Sequence, residues 1–203
     1  MKSEIERSPR LFQSVDSIPG LTWPTIIFDT EMTVFLGKKE VRIMHLGRGH
    51  TKGDTVVWLP EEKVLFSGDL VEYQATPYAG DAYLRDWPFT LKRLADLKPK
   101  ALVPGRGDAL TTPIKIEEGI ESTKEFVTEL YNSVASGAKN KKALNSIYND
   151  VYQQMHSKFG SWVIFEHCMP FDVSRAYDEA TKYPDPRIWT AKRDKEMWNL
   201  LEN

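Results

Sequence analysis

The chain has 203 residues, 41% of them hydrophobic and 28% charged, with a formal net charge of −2 at pH 7. That balance is ordinary for a globular protein; it excludes an intrinsically disordered chain and gives no electrostatic case for binding nucleic acid or a membrane surface. No apolar run reaches spanning length, MKSEIERSPR at the start lacks the apolar stretch of a signal peptide, and a single cysteine, Cys168, excludes both an intrachain disulfide and a Cys-rich zinc site, so the cytoplasm is the expected compartment.

In chain order, TVFLG and EVRIMHL alternate apolar and polar residues around GKK and read as a β-hairpin. TVVWLP and KVLFSGD flank Pro60, Glu61 and Glu62 and read as a second hairpin of largely buried strands. A polar, aromatic loop, VEYQATPYAGDAYLRD, comes next. Asp86 is placed to cap a helix starting at Trp87, with Leu91, Leu94 and Leu97 on one face, and KALVPG reads as a short buried strand behind it. From Thr112 the period becomes helical. Ile116, Ile120, Val127, Leu130 and Val134 form one stripe; Leu144, Ile147, Val151 and Met155 form another, with SGAKNKK as a turn between them. SWVIFEHCMPFD reads as a short apolar segment stopped by Pro170, Asp172 as the cap of a helix through Ala180, and Thr190 as the cap of a last helix ending near Leu201. The fold class is therefore α/β: residues 1–111 form a mixed sheet with covering helix, and residues 112–203 a helical region packed on it.

Two short stretches carry chemistry. A lone loop histidine such as His50 in GRGHTKGD is more often structural than ligating, and a Gly-Asp pair like that at Asp69 in FSGDL is common turn chemistry. Their joint order is more specific: strand, G-x-G-H-T-x-G-D, strand with a tryptophan, proline turn, strand, S-G-D, helix, strand, P-G. It resembles the C-terminal half of the metallo-β-lactamase superfamily, over residues 30 to 108 and most closely over GHTKGDTVVWLPEEKVLFSGDLV. The resemblance implies part of an αβ/βα sandwich and a metal-dependent hydrolase of esters, thioesters, lactones or amides. It also implies His50 as ligand of one metal and Asp69 as a bridging or second-metal ligand. Neutral imidazole and carboxylate are ordinary zinc ligands, and zinc activates water near neutral pH.

The chain departs from that pattern twice. The family's His-x-His-x-Asp-His signature does not occur, and the chain begins, on this reading, downstream of it. The loop that carries a histidine in the family reads PGRG here, with Arg106 in its place. A guanidinium has no acceptor lone pair, so it cannot ligate; it is expected to pair with Asp69 and to leave a site for at most one zinc or other divalent metal, weakly held. A catalytic zinc takes three protein ligands and an open position, and the sequence offers two. Arg106, Tyr73 and Tyr78 are the candidate substrate- or anion-binding residues, although aromatic packing accounts equally for the tyrosines. Cys168 beside His167 reads as a buried thiol rather than a nucleophile. Three functions compete: a hydrolase acting on a small-molecule substrate, a non-catalytic binding protein on the same scaffold, and a gene fragment or one half of a site completed by another chain. A homo-oligomer is expected if the sheet face that the missing half would cover is to be hidden.

Overall fold

The structure is a computed structural model that describes residues 23–202. Strands β1 (Glu31–Leu36) and β2 (Lys39–Met44) pair antiparallel around a turn in which Gly37 takes φ +65. Strand β3 (Val56–Leu59) pairs antiparallel with both β2 and β4 (Val64–Glu72). Helix α1 (Trp87–Asp96) carries the chain across to β5 (Ala101–Arg106), which lies parallel to β4. The result is a mixed five-stranded sheet in the order β1-β2-β3-β4-β5. Four helices complete the chain: α2 (Pro113–Lys139), α3 (Leu144–Phe159), α4 (Phe165–Thr181) and α5 (Ala191–Glu202).

Strand alternation decides what is buried. Val56, Trp58, Leu65 and Leu102 point toward the helices and meet Leu91 and Leu94 of α1 and Ile116 and Ile120 of α2. The same core runs on without a break through Phe126, Val151 and Met169, so the helical region and the sheet bury one another. The opposite sheet face is apolar too: paired Val57 and Phe66, paired Leu59 and Val64, and Ile43 beside Val57. These side chains are only half-buried, and Phe66 is 42% exposed. Among the described residues no helix is long and apolar enough to cross a membrane.

Several local expectations are corrected. Asp86 precedes α1 without a side-chain cap, because Arg48 takes its carboxylate, from Nε at 2.8 Å and Nη2 at 2.5 Å. SGAKNKK is not a turn throughout: α2 continues to Lys139 and stops only where Lys141 adopts φ 57. Gly137 sits at the crossing with α3, where a Cβ would come within 2.7 Å of Ile147, so close helix packing outweighs the glycine's low propensity. Pro170 does not stop the segment before it, nor does Asp172 cap a helix; both are buried inside α4, which starts at Phe165. The proline forgoes a single backbone bond, while Phe165, Cys168, Met169 and Phe171 become buried. Thr190 does cap: its hydroxyl accepts from Arg193 N at 3.2 Å.

Candidate functional site

The loop between β2 and β3 is closed by its own side chains. Thr51 N donates to the two Asp54 carboxylate oxygens at 2.9 and 3.0 Å, its hydroxyl donates to one of them at 2.6 Å, and the Asp54 carbonyl lies 2.7 Å from His45 Nδ1. Gly49 lets this loop drop onto the core, since a Cβ there would stand 2.6 Å from Leu70 and 2.9 Å from Trp87. His50 comes next and packs edge-on against the Trp87 ring at 5.9 Å. Trp87 is itself fixed by its indole N–H donating to the Leu70 carbonyl at 3.0 Å. The histidine is thus held on a rigid wall and remains 15% exposed.

Asp69 lies within β4, where the register against β5 shifts on either side of Gly68. Gly68 takes φ +53, and such an irregularity re-aims the next side chain. Asp69 Oδ2 thereby comes 3.8 Å from His50 Nε2. The PGRG loop is shaped by the same strand. A Cβ on Gly105 would lie 2.3 Å from Asp69 Oδ1, and one on Gly107, whose φ is +93, would lie 2.3 Å from the Tyr73 carbonyl oxygen. Both glycines are demanded by close approach, with Arg106 held between them.

Arg106 does reach the rim, with Nη1 3.8 Å from Asp69 Oδ1, but it does not fork onto that carboxylate. The same Nη1 donates a short hydrogen bond to Glu72 Oε1. Glu72 and Arg106 are register partners across β4 and β5, so the pair is built into the sheet. The Glu72 side chain is 0% exposed against 39% for Arg106, and its second oxygen has no hydrogen-bond partner. Burial pushes the Glu72 carboxyl up to about 8, opposed by the Arg106 charge and reinforced by that of Asp69. No motif flagged Glu72; its signal was an acidic residue in an apolar strand, three positions after Asp69.

The structure therefore brings together His50, Asp69 and Arg106, and adds Glu72. The side chain of Tyr73 goes into the core, where burial and then the charge of Glu118 raise its phenol. Tyr78 packs on Phe171 at 5.5 Å, beside Trp189, beneath the helices. These are packing roles. Cys168 is fully buried, its thiol 3.8 Å from the Thr76 carbonyl and pushed up by burial, which suits an inert side chain. His156 and His167 make ring contacts within the helical region.

Two donors on one tetrahedral zinc stand about 3.4 Å apart. The 3.8 Å between His50 Nε2 and Asp69 Oδ2 is a few tenths wider, so the pair meets one ion only after a small shift of either side chain. A third donor is missing: among the described residues no group of three or more His, Cys, Asp or Glu side chains is placed to hold a metal.

A family model described as metallo-beta-lactamase superfamily matches residues 3–106, slightly over half of the chain. The chain is 36% identical over 121 residues to a metallo-beta-lactamase type 2 of Bacteroides fragilis, covering 57% of this chain and 47% of that protein. It is 34% identical over 101 residues to one of Pseudomonas aeruginosa, covering 47% and 41%. The chain thus spans about half the length of the curated relatives it matches. Among solved structures, a metallo-beta-lactamase from Pontibacter korlensis aligns at 28% identity and TM-score 0.46, over 58% of this chain and 54% of that one.

Proposed function

Because this chain belongs to the metallo-β-lactamase superfamily, we propose that it carries half of a hydrolytic metal site, in which His50 and Asp69 are two ligands of a single divalent ion and Arg106 occupies the place of a second cation. The reading rests on one observation: His50 Nε2 and Arg106 Nη1 approach opposite oxygens of Asp69, each at 3.8 Å. Zinc is the ion whose chemistry suits an imidazole and a carboxylate, and it supplies carbonyl polarisation and water activation near neutral pH. The described residues provide two donors for such an ion. Around that ion the chain's own groups have definite tasks. Trp87 and the Thr51–Asp54 loop hold the His50 ring still, Gly105 admits the Asp69 carboxylate, and the Arg106 guanidinium is a fixed positive charge that can meet an oxyanion. The substrate class is an ester, thioester, lactone or amide, hydrolysed when the remaining ligands come from outside the described residues.

Zinc titration against a chromophoric chelator tests this. The wild-type chain is expected to bind one equivalent weakly, His50→Ala and Asp69→Asn to lose it, and Arg106→His to bind at least tenfold tighter. The Arg106–Glu72 pair favours a second reading, a non-catalytic protein whose guanidinium has replaced the metal. Absence of zinc uptake by wild type and Arg106→His alike would select that reading.

A further inference from the structure

We infer that Glu72 is a positioning residue for this site: by holding Arg106 through a buried hydrogen bond, it keeps the guanidinium from closing onto Asp69 and so leaves Asp69 open toward His50. The inference rests on the proposed metal-site reading and concerns how the site stays competent.

The geometry begins with the backbone. Glu72 N donates to Thr123 Oγ1 at 3.1 Å, and that hydroxyl lies 2.9 Å from the Glu72 carbonyl, so α2 clamps the residue on both sides. Tyr73 N donates to the Arg106 carbonyl at 3.0 Å, which ties the end of β4 to the end of β5. With both backbones fixed, Nη1 of Arg106 meets Glu72 and stands 3.8 Å from Asp69, beyond hydrogen-bonding distance. A guanidinium freed beside a carboxylate takes the bidentate arrangement, because two parallel charge-assisted bonds are stronger than one. Asp69 is 41% exposed and within reach, so it is the acceptor Arg106 would take if Glu72 offered none. A fork on Asp69 would occupy both carboxylate oxygens, including the one that faces His50. Glu72 thus resolves the conflict created by placing an arginine in a metal-ligand loop.

Glu72→Met removes the acceptor at similar volume. Zinc alone is the probe, read by chelator competition. The expected result is at least a tenfold weaker zinc affinity in Glu72→Met, and no effect of the same change in an Arg106→Met background. An equal loss in both backgrounds, or no loss in either, would overturn the inference, since a merely structural role does not depend on Arg106. Two readouts are independent of zinc. A crystal structure of Glu72→Met should show two guanidinium nitrogens on Asp69; Arg106 turned to solvent would count against the idea. If Glu72→Met does not fold, arginine-selective nitrogen NMR on Asp69→Asn decides. Restricted rotation of the Arg106 guanidinium should persist there, because its partner is Glu72, and its collapse would overturn the inference. Should wild type bind no zinc, the metal reading fails while these readouts still judge the role of Glu72.

Discussion

Asp172 shows how one buried carboxyl makes the hold on the segment between β4 and α1 depend on pH. It is fully buried within α4, and Oδ1 accepts from Ala79 N at 2.7 Å while Oδ2 has no hydrogen-bond partner. Burial raises its pKa well above 3.8, with the Ala79 N–H opposing only in part. The folded protein therefore retains a proton that the unfolded chain releases, and the unfolded state binds fewer protons as pH rises above 3.8. The stability contributed by this group is complete below that value and declines as pH climbs through the raised folded pKa. Glu72 acts with the same sign between 4.5 and about 8. Urea midpoints of wild type are expected to fall with rising pH, and Asp172→Asn should flatten part of that fall; parallel profiles would contradict it. Gly105→Ala tests another single residue. Its Cβ would stand 2.3 Å from Asp69 Oδ1 and 2.9 Å from the Asp69 backbone, so zinc affinity should drop together with a loss of about 1–3 kcal/mol in unfolding free energy.

At the scale of elements, the segment between β4 and α1 is held by α4 and by the stretch that joins α4 to α5. Arg175, with a 0% exposed side chain, donates to the carbonyls of Ala82, Tyr183 and Pro184 and to Glu179. Glu179 accepts in turn from Leu84 N and Arg85 N, and Trp189 donates to the Gly80 carbonyl. Tyr83 N then donates to the Gly49 carbonyl at 2.8 Å, so the chain of bonds ends one residue before His50. The helical region is thus a brace for the His50 loop. Arg175→Met would leave the carbonyls of Ala82, Tyr183 and Pro184 without this donor, and Glu179 with its two backbone donors but no buried cation. Removing one partner of a buried pair costs about 3–5 kcal/mol. Thermal or urea unfolding should register that loss. Hydrogen exchange should quicken at Ala79, Leu84 and Arg85 more than in the middle of α2; uniform quickening would show that the brace is not local.

For the whole molecule, the outstanding feature is the sheet face opposite the helices. Ile43, Val57, Leu59, Val64 and Phe66 make it continuous across three strands. Contiguous exposed apolar surface beyond a few hundred Å² is rare on monomers. A second copy packed face to face, with sheets about 10 Å apart, would bury it symmetrically. The chain by itself is therefore expected to self-associate at micromolar concentration, and Phe66→Lys to shift it toward monomer. Sedimentation equilibrium gives the answer, and a wild-type monomer would defeat the expectation.

What the sequence determined by itself was local or periodic. Period-two alternation placed the first hairpin, apolar runs around Pro60, Glu61 and Glu62 the second, and 3.6-residue spacing placed α1, α2 and α3. The joint order of GHT, GD and PG carried the family resemblance; Gly49 and Gly105 answer close contacts there and Gly68 a positive φ. The tertiary structure decided the rest. Pro170 and Asp172 read as a break until packing buried them inside α4, and SGAKNKK read as a turn until Ile147 required Gly137 at a helix crossing. Arg106 pointed to Asp69 on charge alone; its partner is Glu72, 34 residues away in sequence and opposite it in a parallel pair. A pairing of that kind leaves no periodic trace. It depends on the register of two strands joined by a helix, and on the burial that makes one carboxylate, rather than its neighbour three residues earlier, the group most in need of a donor.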